Sequence, residues 1–196
     1  MTRSFTKIAF TDSVKAAQKK YGSREIYQNA GDFGPSKLYQ KEISFIEQRD
    51  SFYLSTVGQN GWPYVQFRGG PKGFLKVLDE ETIGYADFRG NLQYISTGNL
   101  EADNRAALIL LDYPTRRRLK IWARTKILDP AAHPDYMKKI SDPHYGAKIE
   151  QLMIFKLEAF DWNCPQHITP RYTVDEIRSL IKTNPEVLKD IIPLPG

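Results

Sequence analysis

The chain has 196 residues, 41% of them hydrophobic and 26% charged, an ordinary globular composition with length for one domain and a sizeable core. No apolar run approaches the roughly 20 residues that span a bilayer, and MTRSFTKIAF lacks the longer apolar core of a secretory leader, so a cytoplasmic protein is expected. A lone Cys164 excludes an internal disulfide, three histidines (His133, His144, His167) argue against a metal cage, and the +5 charge favours anionic partners without choosing among phosphate, nucleic acid and acidic protein surfaces.

Asp12 and Ser13 open SVKAAQKKYG, where good helix formers and a closing Gly22 predict one short helix. Ser23 to Lys37, with Gly31, Gly34 and Pro35, shows neither period and is expected to be a loop or arm. KEISFIEQRD spaces Ile43, Phe45 and Ile46 for a second helix leading into the main domain. Strand signals follow. Ser51 to Val57, the turn GQNG and WPYVQFRG describe a hairpin, with Pro63 tolerable near the second strand's start. GFLKVLD and TIGYADF form a second pair around Asp79, Glu80 and Glu81, and NLEADNRA is expected as one helical turn before the strand AALILLDY.

RRRLKIWARTKI alternates most clearly: Leu119, Ile121, Ala123, Thr125 and Ile127 on one face, Arg116, Arg118, Lys120, Trp122, Arg124 and Lys126 on the other. A short helix at Asp135 to Ile140, a last strand at Gln151 to Phe160, and the helices VDEIRSLIK and PEVLKDII complete the reading. Short turns between six or seven strands, with helices at the ends, predict a mainly β (α+β) fold: an antiparallel barrel with N- and C-terminal helices. The whole chain, 1–196, is then a single domain with its barrel core at 40–172.

Four constellations could carry chemistry. In QFRGGPKG, Gly69 and Gly70 could bring backbone amides close to a ligand while Arg68 and Lys72 neutralise phosphate; alternatively the glycines only turn the chain. ADFRGNLQYISTGN gathers Arg89, Asn91, Gln93, Tyr94, Ser96, Thr97 and Asn99, many donors for a phosphate or polar heterocycle, or else a polar loop capping a turn. The basic strand face reads as a solvated surface, a subunit edge reaching a bound anion, or a nucleic-acid track with Trp122 as stacking platform. No recognition helix, zinc finger or RNA-binding motif accompanies it, so nucleic acid is not the expected partner. DWNCPQHITPR packs Trp162, Asn163, Cys164, Gln166, His167 and Arg171 into eleven residues, as a ligand-lining loop or as packing; Cys164 and His167 across Pro165 do not form a known Cys/His catalytic spacing.

The ordered segments GWPYVQFRGGPKGFLKVLDE, IGYADFRGNLQYISTGNL, DYPTRRRLKIWAR and DWNCPQHITPR resemble the pyridoxamine phosphate oxidase-related flavin-binding proteins, in the branch of predicted flavin-nucleotide-binding proteins. The resemblance covers roughly residues 40 to 172. It implies a split β-barrel that forms a homodimer with FMN at the interface. Gln66, Phe67, Arg68 and Gly69 would run beside the isoalloxazine, and Asp87, Arg89, Asn91, Gln93, Tyr94 and Ser96 would surround the ribityl phosphate. Arg118, Lys120 and Trp122 would come from the same or the partner subunit. Trp162, Asn163, Cys164, Gln166, His167 and Arg171 would line an acceptor cavity, with His167 as proton donor and Cys164 beside it.

The Ser-Arg-Lys run of the true oxidases is replaced by Tyr94, Ile95 and Ser96, and their C-terminal Arg and His motif lacks its usual form, which argues against pyridoxamine phosphate as substrate. The expected activity is an FMN-dependent oxidoreductase acting on a small molecule, with a nicotinamide as possible donor. The other class is a flavin carrier or sensor without turnover. Related split barrels also use heme or a deazaflavin, and composition leaves both open.

Overall fold

The computed structural model describes residues 3–28, 36–163 and 165–184. Helices α1 (Arg3–Ala9), α2 (Asp12–Lys20) and α3 (Arg24–Gln28) precede α4 (Gln40–Glu47). Seven strands follow: β1 (Ser51–Val57), β2 (Pro63–Gly69), β3 (Lys76–Asp79), β4 (Thr82–Phe88), β5 (Arg105–Asp112), β6 (Arg117–Leu128) and β7 (Ile149–Asn163). Helix α5 (Ile95–Ala102) links β4 to β5, α6 (Pro134–Ile140) links β6 to β7, and α7 (Val174–Thr183) comes last. Among the described residues no helix is long and apolar enough to cross a membrane.

Sequence and structure differ at several ends. Thr11, not Asp12 or Ser13, caps α2 through a bond from the Val14 amide at 3.4 Å. The arm contains α3, and α1 precedes the first expected helix. The turn expected at NLEADNRA is instead an eight-residue helix beginning at Ile95. The helix expected over PEVLKDII and the side chain of Cys164 lie outside the described residues.

All pairings are antiparallel, in the order β2-β1-β5-β6-β7-β4-β3. The sheet rolls into a barrel, because side chains of strands remote in that order meet: Arg68 of β2 reaches Asp87 of β4 at 3.2 Å, and Phe52 of β1 packs on Tyr85 of β4 at 5.3 Å. Period-two alternation aims Phe52, Leu54, Leu108, Leu110, Leu119 and Ile121 inward, all fully buried. Each such side chain contributes roughly 1.5–3 kcal/mol through burial.

A register shift between Trp122 and Ala123 leaves β7 with one extra residue, Glu158. Beyond that bulge the inward face of β7 passes from 153, 155 and 157 to Phe160 and Trp162. α4 closes this end of the barrel, with Phe45 and Ile46 in the core and Phe45 4.8 Å from the Trp162 ring. α6 covers a second apolar cluster on the far side of β4 and β7, around Ile140, Leu152 and Ile154.

Candidate functional site

A small polar pocket of about 50 Å³ lies where β2, the end of β4, the loop 89–94, the start of α5 and Glu150 of β7 converge. Alternation along β2 points Gln66 and Arg68 into it. Ser96 and Thr97 of the first helical turn supply hydroxyls. α5 begins at Ile95 behind Tyr94, whose φ is +50°, and among the described residues no side chain caps it. Its first-turn amides, which have no acceptor within a helix, are therefore left for a ligand or solvent. A helix start with free amides, two hydroxyls and a guanidinium is chemically a phosphate cradle.

The guanidinium is set from below. Asp87, buried, lies 3.2 Å from Arg68 Nη1 and accepts from Tyr85 Oη at 3.4 Å and Gln151 Nε2 at 2.9 Å. Gln151 also donates to Thr97 Oγ1 at 2.8 Å, tying α5 to β7, while Ser96 Oγ and Gln66 Oε1 lie 3.1 Å apart. Burial, and then the Asp87 charge, push the Tyr85 phenol well above its ordinary range, so it remains a donor. Arg68 Nε is buried and has no hydrogen-bond partner among the described residues. An orphaned charged donor beside an uncapped helix start fits an anion that completes the set.

Across the mouth, Glu150 accepts from Arg89 Nε at 2.6 Å and Tyr94 Oη at 3.1 Å. The Arg89 hydrogen bond holds the Glu150 carboxyl below its ordinary range, and Glu150 in turn raises Arg89. Leu92, Tyr94 and Ile95 leave large apolar surfaces exposed beside the mouth.

The structure brings six of the expected cofactor residues to this pocket: Gln66, Arg68, Asp87, Asn91, Tyr94 and Ser96. Asp87 is a buried anion that positions Arg68, and Arg89 sits at the rim through Glu150. The Gln93 amide donates to Asn91 Oδ1, so that loop caps itself. Phe67 and Gly69 point to the opposite face, where Phe67 packs on Tyr53 at 5.7 Å. The Gly70 and Gly73 amides are bound to the Asp50 and Arg49 carbonyls, so in that loop the turning role holds.

Arg118, Lys120 and Trp122 stand on the outer face of β6. Lys120 and Trp122 border an apolar hollow of about 180 Å³ with Tyr53, Val65 and Ile109, and Phe5 of α1 lies 5.1 Å from Trp122. Two cations of the basic face are paired: Lys120 meets Asp161 at 3.8 Å and Arg124 meets Glu158 at 3.5 Å. The DWNCPQHITPR residues are dispersed. Trp162 belongs to β7 and donates to Glu42 at 2.8 Å, Asn163 pairs across from Arg118, and Gln166 and His167 are exposed, with His167 at φ +62°. Arg171 lies over the Tyr113 ring at 5.0 Å. Glu150 and Gln151 are site residues that motif reading missed, since only the β4/β7 register brings them to Asp87. Among the described residues no group of three His, Cys, Asp or Glu could hold a metal ion.

Residues 40–183 match the family model described as pyridoxamine 5'-phosphate oxidase. The chain belongs to the pyridoxamine 5'-phosphate oxidase family. Among solved structures it is similar to HupZ of group A Streptococcus, at 15% identity and a TM-score of 0.52, over 69% of this chain and 100% of that one. It is also similar to an FMN-binding protein of Syntrophomonas wolfei, at 18% identity and a TM-score of 0.48, over 78% and 96%. No curated protein matches the sequence. The fold is the family's split barrel, mainly β with helices, and the family match begins at α4, after α1, α2 and α3.

Proposed function

We propose that this pyridoxamine 5'-phosphate oxidase family member binds FMN and works as a flavin-dependent oxidoreductase on a small molecule. The observation that carries the reading is the buried, unpartnered Arg68 Nε beside the uncapped start of α5. Arg68, Ser96, Thr97 and the first amides of α5 would hold the phosphate, and the pocket's volume suits one such group. Bound FMN would supply hydride and electron transfer. The chain's own contribution is orientation: Asp87, Tyr85 and Gln151 fix Arg68, and Glu150 holds Arg89 and Tyr94 across the mouth. Leu92, Tyr94 and Ile95 offer apolar surface beside the mouth to the ring system.

The working unit in this proposal is a homodimer. Val65 and Phe67 are 59% and 57% exposed, and with Tyr53 and Ile109 they line an outer sheet face bordered by the Lys120–Asp161 pair. A contiguous apolar face carrying both charges at its rim suits a second copy of itself. The exposed position of His167 does not support it as proton donor.

The test is a visible absorption spectrum of the purified protein, then titration of the stripped protein with FMN and anaerobic addition of a nicotinamide. A flavin spectrum, one FMN per chain and bleaching by the nicotinamide are expected. FMN binding without reduction by any donor would favour a carrier, and failure to bind FMN would overturn the proposal.

A further inference from the structure

Glu150 reaches the Arg68 pocket through an irregularity in the sheet. Gln151 of β7 pairs with Asp87 of β4 and Ile149 pairs with Phe88, so Glu150 is an extra residue between two pairs of that ladder. In a regular strand neighbouring side chains leave by opposite faces, and Gln151 already faces the site, where it donates to Asp87 and Thr97. The bulge lets both residues face it, which puts the Glu150 carboxylate in the pocket wall.

The charges around Glu150 balance before any ligand arrives. Arg89 and Tyr94 of the loop after β4 donate to it, Lys148 stands near it on its own segment, and Arg68 of β2 and Asp87 of β4 share the pocket. Arg68 is matched by Asp87, and Arg89 by Glu150. The two carboxylates are not equivalent. Asp87 is buried and takes bonds from Tyr85 and Gln151 as well as the Arg68 contact, whereas Glu150 is held only by groups of the mouth, and its Arg89 partner is half exposed.

A pocket of about 50 Å³ has room for one phosphate group and no space to hold it away from a wall. An ionised carboxylate and a phosphate dianion offer each other only acceptors, so side by side they repel. One proton between them turns the same contact into a short charge-assisted O–H···O bond.

We propose that Glu150 makes this pocket select an anion able to carry a proton: a phosphate monoester binds with uptake of one proton, shared between a phosphate oxygen and the Glu150 carboxyl, and sulfate, which stays unprotonated near neutral pH, is disfavoured. This rests on the reading of the Arg68 pocket as a phosphate site. The proton comes from solvent, and the only bond formed is the O–H between the two acids. A free phosphate monoester is mostly a dianion above its second pKa of about 6, so above that pH the proton has to be taken up and binding weakens as pH rises.

Calorimetric titration of the stripped protein with FMN near pH 8, in buffers of different ionisation enthalpy, counts the protons. Close to one per FMN is expected, with affinity falling about tenfold per pH unit between about pH 7 and 8.5. Glu150→Gln keeps the side-chain shape and an acceptor for Arg89 and Tyr94, and it should take up no proton and give a flat profile. Sodium sulfate should displace FMN from Glu150→Gln at least about tenfold more readily than from the wild type, as expected when a like-charge contact is removed. FMN binding to the wild type without proton uptake overturns the proposal and leaves the flavin reading standing. Uptake that persists in Glu150→Gln puts the proton elsewhere and overturns it equally. Should FMN not bind, the flavin reading fails, and the same titrations with inorganic phosphate decide the role of Glu150 alone: proton uptake lost in Glu150→Gln supports it, and no uptake or no binding overturns it.

Discussion

Replacing Arg68 by Gln separates the two jobs assigned to that side chain. In the fold, its Nη1 lies 3.2 Å from Asp87, with both side chains largely buried. Stranding a buried charge costs about 3–5 kcal/mol, and here the lower end applies, because Tyr85 and Gln151 still donate to Asp87. In the proposed site, Arg68 Nε, without a partner among the described residues, would bind the phosphate, so the substitution would remove a charge-assisted bond of about 1.5–3 kcal/mol, or roughly 10- to 150-fold in affinity. Quenching of flavin fluorescence on titrating stripped protein measures this, with riboflavin as the ligand lacking phosphate. Arg68→Gln should lose FMN affinity and leave riboflavin affinity nearly unchanged. Arg68→Gln combined with Asp87→Asn should recover much of the stability without recovering FMN. His167→Ala, at an exposed turn, should change neither. Equal losses for FMN and riboflavin, or no loss at all, would refute the assignment of Arg68 to phosphate.

Glu150→Gln removes a negative charge from the pocket mouth, so FMN should associate faster in stopped-flow at low salt, by a few-fold, with the gain shrinking as salt rises. Asp112 has a folded-state value below the ordinary carboxylate range, so its contribution is complete above about pH 4 and fades as pH falls through the lower folded value. Asp112→Asn should accordingly cost about 3 kcal/mol in urea melts at pH 7 and much less near pH 2. Val65→Glu with Phe67→Glu should convert the proposed dimer to monomer by light scattering, with little change in the chain's secondary structure. Trp162→Phe leaves the buried Glu42 without its indole donor and should lower stability by about 2 kcal/mol, measured as a shifted urea midpoint.

Strands were legible where one face is solvated. β6 falls close to where period-two alternation puts it, and β1, β2 and β4 fall close to where aromatic and β-branched runs bounded by turn residues put them. The expected strand stops at Phe160, whereas β7 continues beyond its bulge at Glu158 to Asn163. That error had a consequence: Trp162 and Asn163 looked like loop residues free to line a cavity, whereas the bulge turns Trp162 onto α4. α5 was misplaced because Tyr94, at φ +50°, starts it without the Ser, Thr, Asp or Asn cap by which helix starts are recognised.

That missing cap links the fold to the site. A capped helix would have satisfied its first amides within the chain, so the feature that hid α5 is the one that leaves donors facing the pocket. The motifs gave the upper half of the site, Gln66, Arg68, Tyr94 and Ser96, because these side chains act within about thirty residues of one another. Its foundations come from residues more than sixty positions away, Glu150 and Gln151, and only the pairing of Asp87 with Gln151 brings them in. Arg68 alone is a basic residue on a strand. Held on Asp87 from beneath, with its Nε unanswered, it becomes a guanidinium whose position is set before any anion binds, which lowers the ordering cost of binding. Removing Gln151 should therefore loosen phosphate binding although Gln151 does not line the pocket: in Gln151→Leu, Asp87 and Thr97 both lose a donor, and FMN affinity should fall several-fold while riboflavin affinity holds. Unchanged FMN affinity in that variant would mean that Arg68 needs no support from β7.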